Sequence, residues 1–336
     1  MRGGLSRRAA LFGLVGAGCQ RKSAPAGAAG GEATPAAAPP PEASARAEGA
    51  PSSPPAASGA AASPGVLDWS FPGAAAAGGA ERAVVVLPAR APGGEARRYP
   101  VLVALHGRGE AVRGAEAGAY GWVRDYSLLS HVAALGRGAL RREDFKSFVL
   151  PERLAAFNES LRARPYEGLV IVCPHTPDVL QRPWQLEAAA PFARWVVEAL
   201  LPRVLAECPA DAGAVGVDGV SLGGRVALLT GLGAPSVFRS VGTLQPAFQA
   251  SEAEAVAGRA RAYLAARPEG RVRLLTSDGD PFRGAVGALH EAFRAAGVRH
   301  EHRVVVGPHN YDFNQGPGGL EMLAWHERVL RGLEPP

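Results

Sequence analysis

Short runs of apolar, often β-branched residues recur along the chain from about residue 80 onward. They lie at Ala83–Leu87, Val101–Leu105, Leu169–Cys173, Ala214–Val220, Val241–Leu244, Val272–Thr276 and Val304–Val306. The runs are predominantly apolar and do not alternate, which is typical of strands that are buried on both faces of a sheet.

Between these runs the apolar positions follow the spacing of helices. The predicted helices are Arg153–Arg162, Pro191–Glu207, Leu222–Gly231, Glu252–Ala266, Gly284–Ala296 and Gly319–Leu330. Strands that alternate with helices predict crossover connections, and therefore an α/β fold with a mostly parallel sheet and helices on both faces. Four residues at helical spacing are expected in the core: Tyr263, Leu264, Phe293 and Trp325.

A long insertion at about residues 110–166 delays the strand that should follow Val101–Leu105, since most connections in compact domains are a few residues long. It contains five aromatic residues: Tyr120, Trp122, Tyr126, Phe145 and Phe148. The insertion fits two interpretations equally. It is either a lid or substrate wall above an active site, or additional structural layering.

Residues 1–22 have the features of an export signal. Arg2, Arg7 and Arg8 form a charged start, and Ala9–Gly18 form a short apolar run. About ten apolar residues are too few to span a bilayer as a stable helix. The segment therefore predicts that the protein leaves the cytoplasm.

Two details of this segment resemble bacterial export signals of known type. Ser6, Arg7 and Arg8 resemble a twin-arginine signal. The Gly18–Cys19 pair resembles the end of a lipoprotein lipobox, although Gly16 stands where such motifs usually carry leucine. The resemblance implies lipidation of Cys19 and a membrane-anchored or periplasmic protein. The alternative is an ordinary cleaved signal in which Cys19 is incidental.

Residues 23–65 consist almost entirely of Ala, Pro, Gly, Ser and Glu and show no hydrophobic periodicity. Such a composition cannot bury enough apolar surface to fold, and its proline content favours an extended tether. The folded domain is therefore predicted to span residues 66–336. Within it, Cys173 and Cys208 follow apolar runs and are expected to be buried, unpaired thiols, and the alternative is a disulfide between them, which export would permit.

The charge of the chain gives no sign of a nucleic-acid partner. The 336 residues carry a formal net charge of +5, and nearly all of the excess comes from arginine. The arginines are scattered and form no dense basic run, whereas a nucleic-acid-binding surface needs basic residues concentrated on one face. No group of His, Asp and Glu shows the spacing of metal ligands, so a metal site is not predicted either.

The strongest chemical motif is G-x-S-x-G at Gly219, Ser221 and Gly223. An apolar strand precedes Ser221 and a helix follows it, which is the context of a nucleophile elbow. The two glycines are needed where strand and helix backbones nearly touch. Ser221 is therefore predicted to be a nucleophile.

A second motif, His106-Gly107-Arg108, directly follows the Val101–Leu105 run. Acyl transfer needs hydrogen-bond donors aimed at the developing oxyanion, and losing one costs roughly 3–4 kcal/mol. The expected donors are the N–H of Leu222 and the N–H of Arg108, with the N–H of Gly107 as second choice. His106 itself is expected to brace the loop.

Two further motifs supply an acid and a base. Asp278 and Asp280 follow the Val272–Thr276 run, and Asp280 is favoured as the acid because it lies at the far side of the turn. Asp278 is expected to make the turn or cap a helix. His309 follows the last predicted strand on a Gly-Pro loop and is the predicted base.

The remaining histidines are weaker candidates for the base. His300 and His302 lie on a charged strand, and His326 lies inside a helix. His175 follows a strand end and is the runner-up for a role in the site, and the alternative is a structural loop residue.

The order Ser221, Asp280, His309 is the order of the α/β-hydrolase triad. The motifs LHGRG, DGVSLGG, TSDGDPF and GPHNYDF resemble esterases of the esterase D and enterochelin-esterase kind, over roughly residues 80–330. The resemblance implies an eight-stranded, mostly parallel sheet, an acyl-enzyme mechanism, a small-molecule ester as substrate and no cofactor. Two alternatives remain open: a peptidase or acyltransferase with the same triad, and a non-catalytic surface lipoprotein that binds a ligand.

Overall fold

The structure is a computed structural model that describes residues 64–89, 97–180 and 183–336. The predicted export signal with Cys19, and all but the last two residues of the predicted tether, lie outside these ranges. Within them, no helix is both long and apolar enough to cross a membrane.

A single sheet of eight strands forms the centre of the domain. The strands are β1 (Gly65–Ser70), β2 (Arg82–Leu87), β3 (Tyr99–Leu105), β4 (Val170–Pro174), β5 (Ala210–Gly219), β6 (Ser240–Leu244), β7 (Arg271–Gly279) and β8 (Glu301–Pro308). Their spatial order is β1-β2-β4-β3-β5-β6-β7-β8. The strands from β4 to β8 in this order are parallel, and β2 is antiparallel to both β1 and β4.

The helices connect these strands and cover the sheet. They are α1 (Arg108–Ala111), α2 (Ala115–Gly118), α3 (Leu128–Gly136), α4 (Pro151–Ala163), α5 (Ala190–Trp195), α6 (Leu201–Glu207), α7 (Leu222–Gly233), α8 (Ala253–Ala266), α9 (Arg283–Ala295), α10 (Tyr311–Phe313) and α11 (Gly319–Leu330). Short π-helical turns lie at Gly121–Asp125, Val196–Leu200 and Asn314–Gly318, and short 3₁₀ turns lie at Ala74–Ala77, Arg142–Phe145, Leu186–Ala189 and Ala250–Glu252. The predicted helix Pro191–Glu207 is present as α5 and α6, joined through one of the π-helical turns.

Both faces of the central strands are buried, which explains why the predicted strands are predominantly apolar. All seven residues of β3 are buried. Val101, Val103 and Leu105 pack in one core with α5 to α9. Leu102 and Ala104 pack in a second core with α3, α4 and α11. The predicted α/β fold class, with a mostly parallel sheet between two helical layers, is confirmed.

The predicted core aromatics are buried as expected. Tyr263, Phe293 and Trp325 are each at most 2% exposed, whereas Leu264 is half-buried against the same core as Tyr263.

The insertion contributes most of the second helical layer. Trp122, Tyr126 and Phe145 are each at most 2% exposed and pack under α3, α4 and α11. Tyr120 and Phe148 are half-buried. The structural interpretation therefore accounts for the three buried aromatics, and Tyr126 also reaches the candidate site described below.

The two cysteines of the domain are buried and free, as predicted. Cys173 packs in the core with α11, and Cys208 packs in the core on the other face of the sheet. Burial raises the pKa of Cys208 to about 11 and raises the pKa of Cys173 further. Both thiols are therefore protonated near neutral pH.

Candidate active site

Ser221 lies at the sharp turn between β5 and α7. Its backbone has φ 57 and ψ −115, a conformation that a serine rarely adopts. A Cβ atom at Gly219 would lie 2.5 Å from the carbonyl carbon of Gly223, and a Cβ atom at Gly223 would lie 2.4 Å from the carbonyl oxygen of Leu105. Only glycine fits at these two positions, so the strand–turn–helix geometry that the motif predicts is present.

Ser221, His309 and Asp280 form a continuous chain of hydrogen bonds. His309 Nε2 lies 3.1 Å from Ser221 Oγ, and His309 Nδ1 lies 2.8 Å from Asp280 Oδ1. Because a carboxylate accepts hydrogen bonds, Nδ1 carries the ring proton, which leaves Nε2 free to accept the hydroxyl proton of Ser221. The structure thus brings together the three residues that the sequence picks out, although they are far apart in the chain.

Asp280 is held in place by two further donors. Thr276 donates its hydroxyl to Asp280 Oδ2 at 2.6 Å, and the N–H of Phe282 donates to Asp280 Oδ1 at 2.9 Å. The residue Asp280 is 6% exposed as a whole, and its side chain is fully buried. These contacts fix the orientation in which Asp280 receives the Nδ1 proton of His309.

The expected role of Asp278 as a turn or capping residue is wrong. Asp278 Oδ1 accepts a hydrogen bond from the N–H of Gly307 at 2.9 Å, across to the end of β8. The strand β7 continues through Gly279, so Asp278 still belongs to β7 and lies beside the neighbouring strand β8. It is Asp280 that accepts the N–H of Phe282 at the start of α9.

Two backbone N–H groups near Ser221 stand at helix starts. Leu222 is the first residue of α7 and Arg108 is the first residue of α1, and the N–H of a first helical residue has no intrahelical partner. The second-choice donor, the N–H of Gly107, instead donates to Tyr126 Oη at 3.1 Å. This contact occupies the N–H of Gly107 and therefore favours Leu222 and Arg108 as the candidate oxyanion donors.

A buried carboxylate that the motifs do not identify supports this loop. Glu110 is 1% exposed, and it accepts hydrogen bonds from the hydroxyls of Tyr126 and of Tyr311, the latter at 2.7 Å. Burial and the contact with Glu110 raise the pKa of Tyr126 well above its ordinary value and raise the pKa of Tyr311 to about 12. Both phenols therefore stay protonated and donate. Gly107, Tyr126 and Glu110 form one connected network.

A cavity of about 230 Å³ opens beside Ser221 and His309. Gln245 and Asn314 also line it, and neither has a signal in the sequence. Gln245 donates its side-chain amide to Ser277 Oγ at 2.6 Å and to the carbonyl oxygen of Pro308 at 3.0 Å. Since Pro308 precedes His309, Gln245 ties the loop of the candidate base to the end of β7.

His106 braces its loop, as expected. Its Nε2 accepts the N–H of Thr176 at 2.8 Å, so Nδ1 carries the proton and donates to the carbonyl oxygen of Gly107 at 3.0 Å. The ring is fully buried, and burial lowers its pKa to about 3. His175, the runner-up for a role in the site, packs beside it and bonds to the carbonyl oxygen of Ala111 at 3.1 Å.

The other histidines lie away from Ser221. His300 and His302 contact His290 on the outer side of β8. His326 is fully buried, and its two ring nitrogens lie 2.8 Å from Ser240 Oγ and 3.0 Å from Asp218 Oδ2. This second Ser–His–Asp set is enclosed in the core, and none of these histidines lines the cavity at Ser221.

Within the described parts of the chain, no group of three or more His, Cys, Asp and Glu residues is arranged to hold a metal ion.

Comparison with known proteins gives structural neighbours only. No protein-family model and no curated protein matches the chain. A ferulic acid esterase superposes with a TM-score of 0.56 at 15% identity, covering 80% of this chain and 99% of the other.

Two structures from Staphylococcus aureus are also similar. A fluorophosphonate-binding serine hydrolase, FphF, has a TM-score of 0.53 at 11% identity, covering 79% of this chain and 98% of its own. The S-formylglutathione hydrolase FrmB has a TM-score of 0.51 at 13% identity, covering 79% and 96%. Together with the order of the strands and the two helical layers, these neighbours show that the chain has the α/β-hydrolase fold.

Proposed function

We propose that this protein is a serine hydrolase that cleaves a carboxylic ester through an acyl-enzyme on Ser221. The observation that carries the proposal is the hydrogen-bonded chain from Ser221 through His309 to Asp280, with the serine held at positive φ at the tip of its turn. The names of the structural neighbours, an esterase and two hydrolases, agree with it.

In the first half of the proposed reaction, Ser221 Oγ attacks the acyl carbonyl carbon. His309 Nε2 takes the hydroxyl proton, and Asp280 stabilises the imidazolium that results. The N–H groups of Leu222 and Arg108 are the proposed donors to the oxyanion of the tetrahedral intermediate. The intermediate then collapses, the ester C–O bond breaks, and His309 returns the proton to the leaving alcohol.

In the second half, water attacks the acyl-enzyme. His309 Nε2 accepts a proton from the water as its oxygen bonds to the acyl carbon, and the same two N–H groups hold the second oxyanion. Cleavage of the bond between Ser221 Oγ and the acyl carbon releases the acid, and the proton on His309 returns to the serine. The cycle consumes one water and leaves the enzyme unchanged.

Substitution of the nucleophile or the base tests this proposal. We expect Ser221→Ala and His309→Ala each to lower kcat/KM for p-nitrophenyl acetate by at least about 10⁴-fold, because members of such a triad act as a unit. Asp280→Asn should cost on the order of 10⁴-fold, because the ring of His309 would then be held in the wrong tautomer. The rates are measured on purified protein.

The control is a thermal unfolding scan, in which Ser221→Ala should unfold within a few degrees of the wild type. A fluorophosphonate probe should label the wild type and leave Ser221→Ala unlabelled. Hydrolysis at the wild-type rate by either alanine variant would refute the assignment of the nucleophile or the base. A wild type that the probe does not label and that hydrolyses no ester would refute the proposal and favour a ligand-binding protein on this fold.

A further inference from the structure

Two buried carbonyl oxygens beside Ser221 have no hydrogen-bond donor. They are Gln245 Oε1 and Asn314 Oδ1, and both residues line the cavity that Ser221 and His309 also line. Gln245 is 1% exposed and Asn314 is 7% exposed, and neither oxygen accepts a hydrogen bond from the described residues. A buried acceptor without a donor is unfavourable and uncommon in native proteins, so this pair needs an explanation.

The orientation of Gln245 is fixed by its own amide nitrogen. Nε2 donates to Ser277 Oγ and to the carbonyl oxygen of Pro308, and a carbonyl oxygen can only accept. An exchange of the nitrogen and the oxygen would therefore set Oε1 against the carbonyl of Pro308. The unpartnered atom is thus the oxygen. It has no donor as long as Nε2 bonds to the carbonyl of Pro308 and so anchors the loop of His309.

The backbone of Gln245 carries a second unfavourable feature. Its φ is 47, in the left-handed region that disfavours residues with a side chain, and its N–H is held by the carbonyl oxygen of Leu275 at 2.7 Å. Strained residues of this kind persist where the surrounding structure imposes them, and they cluster at functional sites. The surrounding structure that imposes this conformation also places the side chain of Gln245 at the cavity.

The rest of the cavity wall is rich in oxygen atoms. Glu110, Tyr126 and Tyr311 line it, while Val220 is the one aliphatic side chain among the described lining residues. The guanidinium of Arg108 bonds to Asp178 at 3.0 Å. A ligand group that donates hydrogen bonds fits this wall.

We propose that Gln245 Oε1 and Asn314 Oδ1 accept hydrogen bonds from a hydroxyl group of the substrate. The preferred substrates are then small esters that carry a hydroxyl near the scissile bond, in preference to plain alkyl esters. This inference rests on the proposed esterase function. A site built to bond a substrate hydroxyl rejects the analogue that lacks it, because the acceptors of the protein then stay buried and unpaired.

Two pairs of esters test the inference. The first pair, p-nitrophenyl 3-hydroxybutyrate and p-nitrophenyl butyrate, places the hydroxyl in the acyl part. The second pair, glyceryl monoacetate and propyl acetate, places hydroxyls in the alcohol part. We expect the wild type to prefer the hydroxylated member of at least one pair by about tenfold or more in kcat/KM, and the pair that responds shows which part of the ester lies against Gln245 and Asn314.

Variants then connect that preference to the two acceptors. Asn314→Leu removes one acceptor at similar size and Gln245→Met removes the other, and each should lower the preference ratio several-fold. Ser277→Ala takes away only an anchor of the Gln245 amide and keeps both oxygens, so it should slow both members of a pair and preserve their ratio. Thr230→Val is the matched control, because Thr230 Oγ1 is also buried and unpartnered but lies outside this cavity.

The outcomes separate the two proposals. Hydrolysis of none of the four esters by the wild type would overturn the esterase proposal and this inference with it. Hydrolysis without preference for the hydroxylated members would overturn the inference alone, and this result needs no variant to fold. A preference that survives in both Asn314→Leu and Gln245→Met, with folding verified by circular dichroism, would also overturn it.

Discussion

At the scale of single residues, the candidate site concentrates backbone conformations that its residues do not favour. Ser221 and Gln245 both have positive φ, and both border the same cavity. Leu244 connects the two residues. The N–H of Ser221 donates to the carbonyl oxygen of Leu244, and Gln245 is the next residue in the chain. Each such conformation costs on the order of 1–3 kcal/mol, which the packed sheet around it must offset.

The rings of His309 and His106 differ sharply in exposure to solvent. His309 is accessible at the edge of the cavity, whereas His106 is fully enclosed behind the loop of Arg108. Burial lowers the pKa of His106 to about 3, so this ring is neutral in the folded protein. An unfolded chain would protonate the same ring below its ordinary pKa of about 6.5.

We therefore expect the free energy of unfolding to fall as the pH drops below about 6.5. The unfolded state binds the proton there and the folded state does not, so His106 alone should cost about 2 kcal/mol at pH 5 relative to pH 7.5. Denaturant titrations at the two pH values measure the difference. His106→Gln should reduce the difference in unfolding free energy between the two pH values by about 2 kcal/mol. An equal pH dependence in the variant and the wild type would contradict the assignment.

At the scale of elements, the approach of α7 to β3 and β5 sets the position of the nucleophile. The helix starts directly at Leu222, and its second residue, Gly223, lies against the backbone of Leu105. A close approach of this kind leaves no room for a side chain. The geometry of the turn therefore depends on a backbone contact between a helix and the end of a strand.

Two substitutions in the same helix test that dependence. Gly223→Ala would place its Cβ 2.4 Å from the carbonyl oxygen of Leu105, so we expect destabilisation by several kcal/mol and loss of hydrolysis. Gly233→Ala, at the end of α7, meets nothing within 4 Å and should leave stability equal or slightly improved. Thermal unfolding and p-nitrophenyl acetate hydrolysis measure both effects. Equal behaviour of the two variants would be inconsistent with a tight elbow.

The sequence predicts seven of the eight strands in the described residues because each contains an apolar run, and six of these seven strands, all except the edge strand β8, are largely buried. The strand β1 is missed, since it lies at the edge of the sheet and only Trp69 among its six residues is buried. The short helices of the insertion are missed for a related reason. They are too short to show a helical period, and their aromatics are buried by packing against α11.

The residues of the candidate site likewise divide into those that the sequence predicts and those that it does not. Ser221, Asp280 and His309 are predictable because each follows a strand at a recognisable turn. Gln245 and Asn314 are not, because an amide side chain has no local signature and their positions depend on contacts between distant segments. The contact that occupies the N–H of Gly107 likewise depends on Tyr126, which lies nineteen positions further along the chain.

At the scale of the whole molecule, the sequence gives a proposal about location. We propose that Cys19 is the lipidated first residue of the exported protein. Wild-type protein expressed in a bacterium that processes lipoproteins should then fractionate with membranes, and Cys19→Ala should appear in the soluble exported fraction, because one thiol carries the whole anchor. Immunoblots of the fractions measure the partition.

A second cysteine provides the control for that experiment. Cys208 is buried within the folded domain, so Cys208→Ala should leave the partition between membrane and soluble fractions unchanged. Identical fractionation of the wild type and Cys19→Ala would rule out the anchor and favour a cleaved signal.

The direction of β1 has a consequence for how substrate reaches the site. Because β1 and β4 are both antiparallel to β2, Gly65 lies level with the starts of the parallel strands, whereas Ser221 and His309 follow their ends. Gly65 thus lies at the opposite end of the sheet from the nucleophile, separated along the strand direction by roughly 20 Å for strands of about six residues. Substrate therefore approaches Ser221 from the edge of the sheet opposite to Gly65, where the cavity opens.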